Sequence, residues 1–180
     1  RDWRFLRRYI DALERTMYWL RAHDSNNCGL LEVPEAADWT DLFPRSYNVL
    51  YDEVLWYRAN VDFARMQAML RRPADEYINR AARIRLLIND TFWPTPETAT
   101  GPHQFARTQF TLGRTRYLLA QITPFGFSWR CDVFANIIAS LYGVLDDERA
   151  QRVRQFLRQI SIDHQHPVRG QRQHQDRELD

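Results

Sequence analysis

Apolar residues recur along most of this chain at steps of three and four, the period of an amphipathic helix. Between Trp3 and Arg21 the positions Leu6, Tyr9, Ile10, Leu13, Met17 and Leu20 share one face, and Arg4, Arg7, Arg8, Asp11, Glu14 and Arg15 fill the other. That pattern predicts a first helix with one buried stripe. The run Asp24-Ser25-Asn26-Asn27-Cys28-Gly29 breaks it with turn-forming residues. Ser46 is a suitable N-cap for a second helix reaching about Leu70. Its apolar positions, from Tyr47, Leu50 and Val54 to Val61, Ala64 and Met69, wrap beyond a single stripe and predict burial on several sides.

Pro73 fits the first position of a third helix, whose narrow stripe Tyr77, Ala81, Ile84 and Ile88 runs on to Phe92. Pro94, Pro96, Gly101 and Pro102 then predict a long loop. Between Phe105 and Trp129 the pattern is ambiguous, and the segment Tyr117 to Ile122 suits a short strand or a helical turn equally. An almost wholly apolar fourth helix is expected from Asp132 to Tyr142, with Gly143 closing it. Asp146, Asp147 and Glu148 suit the N-terminus of a fifth helix, which carries Val153, Phe156 and Leu157 inward as far as Ile160. Single-stripe helices thus alternate with more fully apolar ones. Two concentric layers of helices produce that alternation, and a solenoid is disfavoured because no repeat of its length occurs. The expected fold class is all-α, a partial double-layered toroid of about five or six helices.

Composition narrows the picture only slightly. Hydrophobic residues at 44% and charged residues at 27% exclude a disordered chain. A net charge of +2 gives no case for nucleic acid or a membrane surface as partner. All 25 basic residues are arginine, but they are spread along every helix rather than gathered on one face. Cys28 and Cys131 match no zinc or redox spacing, so free thiols are expected. No apolar run approaches the roughly 20 residues that span a bilayer. With no secretory segment and free cysteines, a cytoplasmic location is expected. Residues 163–180 form a polar, Gln- and Arg-rich stretch with little to bury, expected as a tail to a domain over 1–162. His164, His166 and His174 in that tail lack the accompanying ligands of a metal site, and no metal or other cofactor is expected.

Two segments carry candidate chemistry. The first runs from Glu32 to Arg45 and holds Glu35, Asp38, Trp39 and Asp41; the second runs from Thr123 to Asp132 and holds Phe125, Phe127, Trp129 and Arg130. Each combines carboxylates, aromatic rings and an arginine. Sugars need this mixture, because aromatic faces stack on C–H surfaces while carboxylates and guanidiniums grip hydroxyls. Composition alone equally allows Trp39 and Trp129 to be core anchors and the acids to be helix caps.

The stretch Gly29-Leu30-Leu31-Glu32 through Asp38-Trp39-Thr40-Asp41, followed by the helix that begins near Ser46, resembles the six-hairpin (α/α)6 glycosidases. Alkaline/neutral invertases and amylo-α-1,6-glucosidase (glycogen-debranching) proteins are the families it is most similar to. Gln121-Ile122-Thr123-Pro124, Trp129-Arg130-Cys131-Asp132 with Asn136, and Leu141-Tyr142-Gly143 follow in the same order as in those families. The resemblance implies a fragment of an inverting glycoside hydrolase that cleaves an α-glucosidic bond or sucrose. It places the general acid at Asp41, with Asp38 as the alternative. Trp39 would stack on the sugar, and Arg45, Trp129, Arg130, Asp132 and Asn136 would line the same funnel. A general acid must hold its proton near neutral pH, and Trp39, Leu42, Phe43 and Asp38 are placed to raise the pKa of Asp41.

Glycoside hydrolysis needs a second carboxylate, roughly 6.5–9.5 Å from the first for inversion. The families carry it in a later hairpin, beyond a His-Asn-Gly-Gly-type motif that this sequence lacks. The expectation is therefore half a ring, inactive alone, with an open apolar edge that associates with the missing half or with itself. The expected partner molecule is an oligosaccharide or disaccharide. The competing expectation is a non-catalytic carbohydrate-binding or helical interaction domain.

Overall fold

The computed structural model describes residues 2–40, 43–93, 116–128 and 130–165. Among them are five helices: α1 (Trp3–Arg21), α2 (Leu50–Met69), α3 (Asp75–Thr91), α4 (Val133–Leu141) and α5 (Asp147–Gln165). The fold is all-α in its main elements, and the residues that start each helix explain where it begins. Asp2 accepts the Phe5 N–H at 3.0 Å, Asp132 accepts that of Ala135 at 2.9 Å, and Asp146 accepts that of Arg149 at 2.8 Å. α2 and α3 lack side-chain caps and carry acidic pairs in their first turns instead, Asp52 with Glu53 and Asp75 with Glu76. Gly143, at φ 72°, supplies the left-handed residue just beyond α4.

α2 is the spine. α3 folds back on it through a turn at residues 70–74, in which Arg71 takes a positive φ of 58°. α1 lies across α2 by a narrow stripe in which Ile10 and Met17 are buried. The core joins these residues to Leu30, Val54, Phe63, Ile84, Ile88 and Phe92, and on the far side to Leu118, Leu119 and Ala139. The single-stripe character of α1, α3 and α5 agrees with the sequence pattern. α2 is less enclosed than expected, since Leu55 and Met69 stay exposed. α4 buries Ala135, Ile138 and Ala139 but leaves Val133, Phe134, Ile137 and Leu141 exposed, so an open apolar edge is present.

The second helix does not start at Ser46. Tyr47, at a positive φ of 68°, exchanges two backbone hydrogen bonds with Val33 at 2.7 and 2.8 Å, and Asn48–Val49 form the extended strand β1. Pairing delays the helix to Leu50, because an extended backbone cannot also enter the first helical turn. β1 pairs antiparallel with β2 (Gln121–Thr123), which pairs antiparallel with β3 (Gly126–Ser128). Ile122 faces Asn48 on one side and Phe127 on the other. The strand option for Tyr117 to Ile122 therefore holds for its last residues, and much of the second candidate loop is a β-hairpin. α5 continues to Gln165, past the expected boundary at 162. The remainder of the tail, including His166 and His174, lies outside the described residues.

Candidate functional site

The small sheet brings the two chemistry-bearing segments together. β1 sits just after the first, β2 leads into the second and β3 lies within it, so pairing Asn48 with Ile122 holds both next to the N-terminus of α4. Between them is a cleft of about 360 Å³ lined by Trp39, Thr40, Phe43, Pro44, Arg45, Ser128, Arg130, Cys131, Asp132 and Phe134. That volume is at the small end of the range, about 300–1,000 Å³, typical of ligand pockets. The lining is mainly apolar with a few polar groups.

Trp39 is 57% exposed. Its ring rests against Tyr51 and Phe134, with centroids 5.8 and 5.7 Å away, and those two rings stack on each other at 5.8 Å. Such tilted contacts hold an indole in place while leaving a face open. Across the cleft the Arg130 guanidinium lies 5.9 Å from the centre of the Phe43 ring, a cation–π contact.

Below the cleft is an ionic cluster. Arg45 donates through Nη1 to Asp132 Oδ2 at 2.5 Å, pairs through Nη2 with Asp38 Oδ2 at 2.5 Å, and donates through Nη2 to Thr40 Oγ1. Asp38 also accepts the Thr40 hydroxyl at 2.6 Å and the Thr40 N–H at 2.8 Å. The side chains of Asp38, Asp132 and Arg45 are 0, 8 and 11% exposed. Buried ions require such pairing, since an isolated one costs several kcal/mol. Arg45 therefore clasps the first segment to the N-cap of α4.

Asp52, in the first turn of α2, makes no ion pair with this cluster but feels its charges. Burial raises its pKa from 3.8 to about 6, the charge of Asp38 adds to the rise, and Arg45 opposes it. Its neighbour Glu53 is fully buried, accepts the Leu31 N–H at 2.8 Å, and is pushed well above the usual carboxylate range by burial. Cys131, at the cleft wall, is raised to about 12 by burial and then by Asp132. Cys28, raised to about 11, is likewise a protonated thiol at neutral pH, and neither cysteine is in a disulfide. Among the described residues no group of three His, Cys, Asp or Glu side chains is arranged to hold a metal ion. No helix among them is long and apolar enough to cross a membrane.

Of the residues singled out by sequence, Trp39, Arg45, Arg130 and Asp132 do line one cleft. Asp38 lies beneath it as a partner of Arg45. Asn136 does not serve as lining: it is 0% exposed, accepts the Leu118 N–H at 2.8 Å and donates to the Leu118 carbonyl at 3.0 Å. A short amide on the buried face of α4 is the strut for a chain segment that would otherwise carry unpaired backbone groups. Asp41 and Trp129 lie outside the described residues. Thr40 and Phe43, on either side of residues 41 and 42, both face the cleft. Sequence reasoning missed Asp52, Thr40, Cys131 and Phe134. Asp52 and Glu53 left a usable signal, adjacent acids in the first turn of a helix whose apolar positions extend beyond one stripe. No protein-family model matches this chain, and no curated protein matches it.

Proposed function

We propose that this chain belongs to an α-helical glycoside hydrolase and that the cleft between residues 37–45 and the start of α4 holds one end of a sugar chain. The carrying observation is Trp39, an exposed indole braced by Tyr51 and Phe134 at the mouth of an apolar cleft that also contains a guanidinium, Arg130. An open aromatic face beside polar hydrogen-bonding groups is what a pyranose ring requires. Asp41 is assigned as the general acid, within the segment whose flanks border the cleft. The alternation of single-stripe and more apolar helices along the sequence is the support for a partial (α/α)6 arrangement, and an α-glucosidic bond or sucrose is the proposed substrate.

Asp38 and Asp132 are both engaged by Arg45 in ion pairs and so are poorly placed to activate water or to grip hydroxyls. The base of an inverting mechanism is therefore assigned to a carboxylate outside the described residues. The same pairing favours the second reading, a carbohydrate-binding domain without catalysis. The exposed side of α4, in turn, suits an interaction domain.

The test is binding and hydrolysis of maltotriose and sucrose, measured in a protein that carries this chain together with the second carboxylate, by the wild type and by Asp41→Asn. The proposal expects binding retained in the variant and hydrolysis reduced at least about a hundredfold, the usual contribution of a general acid. Equal hydrolysis by both proteins would remove Asp41 from the mechanism. Binding without hydrolysis by either selects the non-catalytic reading, and no binding of any glycoside overturns the sugar cleft.

A further inference from the structure

Helix α1 buries only one of its three sides. Ile10 and Met17 face the core, with Leu6 and Leu20 packed against it. A second side carries Phe5, Tyr9, Ala12, Thr16 and Trp19, all exposed, and these positions advance by four, three, four and three residues. That spacing makes a seam through which one helix packs on another. The stripe has large rings toward its ends and small side chains between them. Phe5 lies on Tyr9 with ring centroids 4.6 Å apart, and Trp19 meets the His23 ring edge-on at 4.3 Å. Phe5 and Trp19 are 61 and 62% exposed. Ala12 and Thr16 leave a shallow saddle at the centre, and the Thr16 hydroxyl is already donated to the Ala12 carbonyl at 3.1 Å. A partner can therefore cover the threonine methyl group without stranding a polar atom.

The third side carries an arginine row. By the helical period Arg4, Arg8 and Arg15 run along the border of the stripe that lies away from the core, and all three are exposed. None of them pairs with a carboxylate among the described residues. The acids of α1 are engaged elsewhere: Asp11 accepts from Arg72 at 2.7 Å, and Glu14 accepts from Gln67 at 3.2 Å and from Tyr77 at 3.1 Å. Arg8 lies over the Tyr9 ring at 5.5 Å, which keeps its charge beside the stripe. The opposite border is formed by Leu13 and Leu20, so the charge is one-sided. This selects the occupant. A second copy of α1 packed antiparallel about Ala12 would set Arg8 of one copy against Arg15 of the other, and a parallel copy would set each arginine row beside the other's leucines. Neither supplies an anion.

We infer that the outer face of α1 is a docking site for an amphipathic helix of a partner protein, one whose apolar stripe is bordered by aspartate or glutamate on the side that meets Arg4, Arg8 and Arg15. The central apolar residues of that helix cover Ala12 and Thr16 between the rings of Tyr9 and Trp19, and its acids pair with the arginine row. No residue of α1 lines the sugar cleft, so the two sites are independent.

The test is binding of two synthetic three-heptad peptides by the wild-type protein, followed by fluorescence anisotropy. Both peptides carry leucine at the a and d positions, and one has glutamate and the other lysine at e and g. The glutamate peptide is expected to bind at least about tenfold more tightly, with an affinity that falls as salt is raised. Arg8→Glu combined with Arg15→Glu should invert the preference toward the lysine peptide. Ala12→Arg, an exposed change to a good helix former, should keep the melting temperature and remove binding of the glutamate peptide. Trp19→Ala should weaken that binding at least about tenfold. Equal affinity for the two peptides, a preference unmoved by the double reversal, or undiminished binding by Ala12→Arg overturns the inference. No binding of the glutamate peptide overturns it too, and capture of phosphatidylglycerol vesicles in its place would make the face a membrane surface instead.

Discussion

Gly29 closes the turn after α1 at φ 94°, with its N–H donated to Asp24 Oδ2 at 3.0 Å. A Cβ there would come within 2.7 Å of Leu87 Cδ1, on α3. Backbone strain and a clash with a packed side chain act together, so Gly29→Ala is expected to cost about 1–3 kcal/mol in denaturant unfolding. Gly143 has the strain without the clash, as nothing lies within 4 Å of an added Cβ. Gly143→Ala should cost only about 1 kcal/mol, and similar losses at both sites would contradict this account of Gly29.

Asp52 gives a pH dependence whose sign follows from its environment. Its folded pKa of about 6 exceeds the ordinary 3.8, so between these values the folded protein holds more protons than the unfolded chain. Stability attributable to this residue is therefore intact below pH 4 and falls as pH rises through 6. Asp52→Asn removes the decline. It should match wild type near pH 4 and exceed it by roughly 1–3 kcal/mol at pH 8. Thermal melts across that range give the comparison, and a variant less stable at pH 8 would show that the charged carboxylate helps the fold.

At the scale of elements, Asp132 joins two interactions that are separable by substitution. Its Oδ1 caps α4 and its Oδ2 holds Arg45. Asn is as good a cap as Asp, so Asp132→Asn should lose the ion pair alone, and Asp132→Ala should lose about 1 kcal/mol more. Equal losses would mean that the cap contributes nothing. This dual use also shows why elements were legible to different degrees. Helices α1, α3 and α5 announce themselves through local periodicity, which needs no partner. Strands β1 to β3 have two or three residues each, and β1 exists because Asn48 and Val49 meet Ile122 and Gln121 from far along the chain, a pairing that local pattern does not encode. For the same reason Ser46 resembles a helix cap in sequence yet contributes its carbonyl to Gln121 Nε2 at 3.0 Å. The aromatic and charged content of the two candidate segments was visible in sequence, whereas the pairing of Arg45 with Asp38 and Asp132 was not. Those acids, expected to face a sugar, are turned instead toward an arginine.

At the scale of the whole molecule, the apolar surface is uneven. α4 exposes Phe134 at 47%, Ile137 at 40% and Leu141 at 75%, with Phe134 beside the ring of Trp39. An apolar surface of this kind along one helix is unusual where it meets only water. Concentration-dependent self-association is expected, and Ile137→Gln with Leu141→Gln should shift sedimentation toward the monomer without loss of helix content. Sedimentation unaffected by these changes would place association elsewhere.

The central claim is that Trp39 is the stacking face at the mouth of a sugar site, and calorimetric titration with a maltooligosaccharide tests it most directly, using wild type, Trp39→Ala and Trp19→Ala. Trp19 is as exposed as Trp39, at 62%, but lies on α1 away from the cleft. Binding by wild type and Trp19→Ala with at least about a tenfold loss in Trp39→Ala, within the range expected of one buried aromatic contact, is the expected result. No heat with wild type, or equal affinity in all three proteins, would contradict it.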